Sequence, residues 1–366
     1  MNGNGHPHRF PPVSAVTPFP PTSAINFSGS KVAAPDRAHS YPQAETGPGG
    51  FSVQIAVFGC GAVGGYFGGR LAEAGEAVRF IARGRQLAAI REHGLRVTST
   101  EGDFLVRPAD VTDEASAGGP VDVVLLGVKA WQVAEAAAAM RPLVGAHTFI
   151  VPLQNGIEAP ERLAEVFGAA RVLGGYCRIL AYVLSPGHIQ HAGVAPYIAF
   201  GELEATSSPR AEALLQAFSR ARGVKAEVPA NIRAAMWDKF IFIAALSAVG
   251  ALTRAPIGVI RGQPETRRLL EQALKEIYAV AVASHVALPA DSVQRTLAFV
   301  DTLPADGTAS MQRDIVQSRP SELESQVGAV VRLGDRLGVP VPLHQLIHAA
   351  LLPQERRARG ELAFAV

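Results

Sequence analysis

Apolar and polar positions change rhythm twice along this 366-residue chain. From Ser52 onward, short apolar runs alternate with stretches of helical spacing. The run Val53-Gln54-Ile55-Ala56-Val57-Phe58 reads as a first strand, and residues 66–74 as the helix after it. Residues 77–82, 121–128 and 148–153 read as the second, third and fourth strands, with helices at 86–92 and 131–140 between them. That βαβ rhythm predicts a parallel, doubly wound sheet. Shorter strands are expected at 172–184, 188–191, 196–201 and near 224–228, and a helix at 210–221. After Pro229 the strands stop, and 231–248, 264–284, 290–300 and 320–337 all read as helices.

The second change lies at the start. Residues 1–51 are rich in Pro, Ser, Gly and Asn and lack periodic apolar positions, so they read as a disordered tail or a processed segment. A transit peptide fits poorly, because Arg is scarce and Asp36 and Glu45 are present. A third reading puts the true start near Val53. The expected organisation is therefore the segment 1–51, a Rossmann-type α/β domain over 52–229, and an all-helical C-terminal domain over 230–366 that supplies substrate and catalytic residues.

Composition removes several function classes. A net charge of +2 argues against a nucleic-acid footprint. Two cysteines, Cys60 and Cys177, give neither a disulfide framework nor zinc spacing, which suits a reducing, cytoplasmic compartment. No apolar run reaches the ~18 residues of a membrane span; 240–246 comes nearest and is too short, so no membrane is expected. His188 and His191 are three apart in a strand-like stretch without further ligands, so structural histidines are expected and no metal.

Chemistry enters at the first strand-to-helix junction, Gly59-Cys60-Gly61-Ala62-Val63-Gly64. The first glycine permits a tight turn, the second lets backbone approach a pyrophosphate, and the third lets the helix pack on the strand. A ligand-free glycine-rich turn is the bland reading, and the strand before and helix after it favour a dinucleotide. An NAD site usually has Asp or Glu at the end of the second strand to bind the ribose; here Arg83 and Arg85 stand there, which suits the extra phosphate of NADP. The alternative is an exposed loop arginine.

Lys129 and Asn155 close two later strands, where open α/β sheets bind ligands. Lys129 could reach cofactor or substrate, and Asn155 could hold the nicotinamide side or the substrate, although Asn-Gly is also a common turn pair. Lys239 lies within a helical stretch, on one face with Ile232, Met236, Ile243 and Leu246. An ammonium on an apolar stripe has its pKa lowered by desolvation, which suits a proton donor near neutral pH. A lysine snorkelling to the surface would fit the spacing equally. Glu322 follows Arg319-Pro320, where a helix dipole alone would also favour it.

These residues together resemble the ketopantoate reductase (2-dehydropantoate 2-reductase) family. Its motifs are met at the glycine stretch 59–64, Val128-Lys129-Ala130-Trp131-Gln132, Gln154-Asn155-Gly156, Pro186-Gly187-His188 with His191-Ala192-Gly193, and Asn231-Ile232-Arg233 with Trp237-Asp238-Lys239. Ser310-Met311-Gln312-Arg313-Asp314 and Ser321-Glu322-Leu323-Glu324 complete the set. The resemblance implies reduction of ketopantoate to pantoate with NADPH, for pantothenate and coenzyme A synthesis. It implies that Lys239 is the catalytic lysine serving the carbonyl oxygen and that Glu322 is its acidic partner. Ser310 would bind the substrate carboxylate, Asn155 and Lys129 would sit at the cofactor–substrate junction, and Arg83 would meet the 2′-phosphate. Gly59, Cys60, Gly61, Ala62, Val63 and Gly64 would line the cofactor, with a small 2-keto acid as the substrate partner and a homodimer as a compatible assembly.

The chain departs from the family pattern after the lysine. Where the family carries substrate-binding asparagines one and two turns on, this sequence has Ile243 and Ser247, so Ser247 is the expected substrate contact there. Gly307 and Thr308 occupy the place of another family asparagine. A lost partner costs ~1–3 kcal/mol where the group stays buried. The departure keeps three alternatives open: a paralogue reducing another 2-keto acid or carbonyl, a non-catalytic NADP-binding sensor, and a hydroxy-acid dehydrogenase of similar build.

Overall fold

The computed structural model describes residues 53–364, so the readings for 1–51 lie outside the described residues. In chain order the elements are β1 (Gln54–Phe58), α1 (Ala62–Glu73), β2 (Ala77–Ile81), α2 (Gly84–His93), β3 (Leu95–Ser99), β4 (Phe104–Val106), β5 (Asp110–Thr112) and β6 (Val121–Leu126). Next come α3 (Val133–Ala139), β7 (Val144–Pro152), α4 (Ala159–Phe167), β8 (Gly174–Arg178), β9 (Ala181–Ser185), β10 (His188–His191), β11 (Tyr197–Gly201), α5 (Pro209–Arg220) and β12 (Lys225–Glu227). The rest is helical: α6 (Ile232–Thr253), α7 (Ile257–Gly262), α8 (Pro264–Ala283), α9 (Ser292–Thr302), α10 (Ser310–Val316), α11 (Ala329–Leu337) and α12 (Pro342–Ala358).

The main sheet runs β5-β2-β1-β6-β7, and its neighbours are all parallel. Its central strands β1 and β6 are apolar apart from Gln54 and Asp122 near their starts, because both faces are covered. Ile55 and Val57 of β1, Val123 and Leu125 of β6, and Phe149 and Val151 of β7 pack with Tyr66, Phe67 and Leu71 of α1. The alternate residues Ala56, Phe58, Val124, Leu126 and Ile150 pack with Val133, Ala136 and Ala137 of α3 and Leu163 of α4. Chain order reverses between β1 and β6, so the ends of these two strands form the switch point at which such sheets bind ligands.

The expected doubly wound sheet is therefore present, followed by the helical C-terminal domain, but the strands around it differ. β3, β4 and β5 were not expected from the sequence; they are three to five residues long, too short for a clear period. The expected strand at 172–184 is two strands in different sheets. β8 joins β12-β11-β8, whereas β9 joins β4-β3-β10-β9. α4, α7, α10 and α12 were also missed, and the helix expected from residue 320 begins later, in a π turn over Glu324–Gly328.

The longest correction concerns α6. Its 22 residues make it long and apolar enough to cross a membrane by length and composition, where the sequence reading stopped at 240–246. Two thirds of its apolar window is buried within the protein: Phe240, Ile241, Ala244, Ala245 and Val249 lie in the helical core, where α6 packs against α8, α10 and α12. Small residues let neighbours close in. A Cβ at Gly250 would lie 2.5 Å from Gln312 Oε1 of α10.

Candidate active site

The glycine turn after β1 is built for close approach. Gly59 has φ +99° and its backbone N–H donates to Ile81 O, tying the turn to the end of β2. A Cβ at Gly64 would lie 2.3 Å from Gly59 O, and one at Gly127, after β6, would lie 2.8 Å from Gly64 Cα. Turn, helix and neighbouring strand end are therefore in backbone contact. Gly61 is different: a Cβ there would meet nothing within 4 Å, so its face is open. Gly61 also precedes α1, which has no side-chain cap and no acidic residue in its first turn. Free N–H groups, an open glycine and the positive end of a 12-residue helix fit a pyrophosphate. Cys60 lies within this turn; burial pushes its thiol up to about 12, so it stays protonated and inert.

Arg83 stands at the end of β2 as expected, exposed, with Nη1 2.7 Å from Glu135 Oε1 of α3. Lys129 is exposed after β6, with Nζ 3.9 Å from Asp314 Oδ2 of α10 and 5.7 Å from the Trp131 ring. Its backbone N–H donates to Gln132 Oε1. Both cations thus have acidic partners on the protein and stand at the mouths of parallel strands.

Three residues far apart in sequence meet beyond β7. Gln154, buried, donates to Leu126 O and Val128 O and fixes the loop onto β6. The loop then turns at Gly156, whose φ is +115° and whose Cβ position lies 2.9 Å from Ser325 O, so it packs against the π turn. Asn155 is thereby presented to α6 and to the segment before the π turn. Lys239 Nζ donates to Asn155 Oδ1 at 2.7 Å, and Asn155 Nδ2 donates to Glu322 Oε2 at 3.0 Å. An ammonium only donates and a carboxylate only accepts, so the amide can face only one way. Gln326 Nε2 adds a second donor to Glu322 Oε2 at 3.2 Å, and Glu322 is buried.

Lys239 sits in the second turn of α6, which starts at an Asn231 cap whose Oδ1 accepts from Ala234 N. Burial lowers its pKa, with Arg178 in the same direction; Cys177 and Glu322 oppose this. The Tyr176 ring lies 5.8 Å from Nζ. Lys239 is half-buried, so the snorkelling alternative gives way to an ammonium held inside the fold by Asn155.

The other expected substrate residues, Ser310 and Ser247, make no hydrogen bond to this array among the described residues. Ser310 opens α10, which packs on α6, and is half-buried. Ile243, one turn after Lys239, is half-buried, and Ser247, two turns after it, is fully buried with its Oγ unpartnered among the described residues. His191 bonds Ser99 Oγ and Val194 O, and His188 bonds Thr98 Oγ1, so both serve the small sheet. A cavity of about 280 Å³ lies behind α6, walled by Met236, Trp237, Leu333 and Leu337; Lys239, Asn155 and Glu322 are not in its lining. The sequence reading missed the part played by Gln154, Gln326 and the Gly156–Ser325 contact; the Gln154-Asn155-Gly156 run was the one available signal.

Comparison with known proteins shows the family. Residues 55–205 match the family described as ketopantoate reductase PanE/ApbA, and residues 231–355 match its C-terminal counterpart. An uncharacterized oxidoreductase, YkpB, of Bacillus subtilis is 30% identical over 82% of this chain and 98% of its own. The crystal structure of a PanE/ApbA family ketopantoate reductase from Ralstonia eutropha superposes with a TM-score of 0.76 at 31% identity, covering 84% of this chain and 99% of that one. D-Mandelate dehydrogenase, in a ternary structure with NADH and anilino(oxo)acetate, shares the fold at a TM-score of 0.74 and 20% identity, over 84% of this chain and 99% of that one.

Proposed function

Because the chain belongs to the ketopantoate reductase family, it is an NAD(P)-dependent oxidoreductase, and we propose that it reduces a small 2-keto acid with NADPH, ketopantoate being the best single candidate. Pantoate for pantothenate and coenzyme A would then be its product. The observation that carries this reading is the Lys239–Asn155–Glu322 array.

The nicotinamide cofactor, when bound, supplies the hydride. As hydride reaches a carbonyl carbon, negative charge builds on the oxygen. Lys239 is suited to meet it: one of its three N–H bonds is spent on Asn155, which leaves donors for the carbonyl oxygen. Its lowered pKa brings the ammonium closer to neutrality and eases proton transfer to the alkoxide. Asn155 fixes the direction of the ammonium, and Glu322 fixes Asn155. Gly61 and the start of α1 would hold the pyrophosphate, and Arg83 the 2′-phosphate after releasing Glu135. Both cysteines are free, which supports a reducing, cytoplasmic location.

A second reading, a related 2-keto acid in place of ketopantoate, is favoured by one observation. Ile243 offers no side-chain hydrogen bond one turn after Lys239, where the family carries an asparagine. The intact array speaks against a non-catalytic sensor. The test is NADPH and NADH oxidation by purified protein with ketopantoate beside a panel of other 2-keto acids. Turnover that vanishes in Lys239→Ala supports the reading. Tight NADPH binding without oxidation across the panel would instead favour the sensor.

A further inference from the structure

Glu322 lies in a bend just before the π turn, where no regular ladder fixes the backbone. The residue before it is held instead by α12, the last helix. Ser321 N donates to both carboxylate oxygens of Glu355, at 3.1 Å each, and Ser321 Oγ donates to Glu355 Oε2 at 2.5 Å. Ser321 O accepts from Arg359 Nη2 at 3.0 Å, and Arg359 pairs with Glu355 Oε1 at 2.6 Å, one helical turn away. Ser321 Oγ in turn accepts from Leu323 N, on the far side of Glu322. Both polar backbone groups of Ser321 and its hydroxyl are therefore tied to one buried ion pair.

The depth matters. Ser321 is 1% exposed and Glu355 2%. A buried carboxylate with three charge-assisted bonds and a guanidinium has no alternative partner to swing to. Rotating the backbone at Ser321 would strand that charge, so the clamp sets the direction in which the next side chain, Glu322, leaves the chain. The clamp also reaches the cofactor side of the fold: the Arg359 guanidinium lies 4.6 Å from the ring of Trp131, in the turn that follows β6 and Lys129.

We propose that Glu355, with Arg359, is a positioning residue for turnover: by clamping Ser321 it aims Glu322 at Asn155, and so Asn155 at Lys239. This rests on the functional reading above, in which Glu322 serves turnover. Misplacing a group of such an array by about 1 Å costs of the order of a hundredfold in rate.

The experiment is a double-mutant cycle on the 2-keto acid panel, read beside NADPH affinity by nicotinamide fluorescence and a crystal structure of the Glu355→Gln protein. Glu355→Gln is expected to lower kcat about tenfold or more with NADPH affinity within about twofold of the parent. In a Glu322→Gln background the same change should add less than about twofold, since there is no carboxylate left to aim. The variant structure should show Glu322 turned away from Asn155 Nδ2. Effects that multiply in the double variant, or an unmoved Glu322–Asn155 contact, overturn the proposal. Full turnover in Glu322→Gln alone removes the functional reading, while the variant structure still decides the clamp. Ser321→Ala, which loses the two hydroxyl bonds to Glu355 and Leu323 and keeps the ion pair, gives the same test in milder form should Glu355→Gln fold poorly.

Discussion

Lys239 and Glu322 are joined through a single amide. Asn155 accepts from the lysine at 2.7 Å and donates to the carboxylate at 3.0 Å, although the three residues lie on α6, the loop after β7 and the bend before the π turn. A cation and an anion that paired directly would leave neither pointing at a substrate. The amide keeps the two charges linked but apart, with the ammonium aimed by a neutral acceptor.

Removing the ammonium tests its role. Lys239→Ala should lower kcat by about 10²- to 10⁴-fold, with NADPH affinity nearly unchanged. The pH dependence has a fixed sign. The protonated lysine is the donor, so reductive turnover is present at lower pH and is lost as pH rises through the lysine's pKa. Burial lowers that pKa, so the basic limb of kcat/KM should fall below the ordinary lysine range near ~10.4. A limb at or above the free-lysine value would contradict the desolvation.

Replacing the amide by a carboxylate should move that limb upward. Asn155→Asp keeps an acceptor 2.7 Å from the ammonium but makes it negative, which favours the charged lysine. It also removes the donor to Glu322 and sets two carboxylates side by side. Turnover should fall by about tenfold or more, and the pH profile should extend to higher pH. A profile unchanged in position would mean that Asn155 does not face Lys239 during turnover.

Two glycines of the turn should fail differently. Gly64→Ala puts a Cβ 2.3 Å from Gly59 O, which must shift backbone, so its melting temperature should drop clearly. Gly61→Val has open space around it and should melt close to the parent, yet bind dinucleotide much more weakly because the side chain fills the approach to the helix start. Calorimetry and nicotinamide fluorescence separate the two outcomes.

Cofactor choice is tested at Arg83. The exposed Arg83–Glu135 pair contributes little to stability, so Arg83→Ala should melt like the parent. NADPH should weaken by about tenfold or more while NADH changes little, because only NADPH carries the phosphate that a bidentate guanidinium would grip. Equal losses for both cofactors would remove the case for NADP.

Much of the fold was legible because its signals are local. β1, β6 and β7 are apolar runs that announce strands buried on both faces, and β10 lies at 188–191 as expected. The short β3, β4 and β5 were not legible, since three to five residues carry too little periodicity to separate strand from loop. β8 and β9 were merged because the chain changes sheet at Ile179-Leu180 without a Gly or Pro to mark it. The length of α6 was underestimated, because its alanines and glycine weaken the apolar pattern while serving close packing.

By itself the sequence determined the glycine turn and the arginine at the end of β2, since each depends on neighbours within a few positions. It left Lys239 undecided between a buried donor and a surface lysine, and it made Glu322 a partner only by resemblance. Tertiary structure brought the two side chains to the same amide, that of Asn155. Gly156 brings the loop after β7 against the π turn, α6 carries Lys239 to that loop, and α12 clamps the residue before Glu322. Burial and hydrogen-bond direction arise only where these distant segments meet, and no local pattern of residues specifies that meeting.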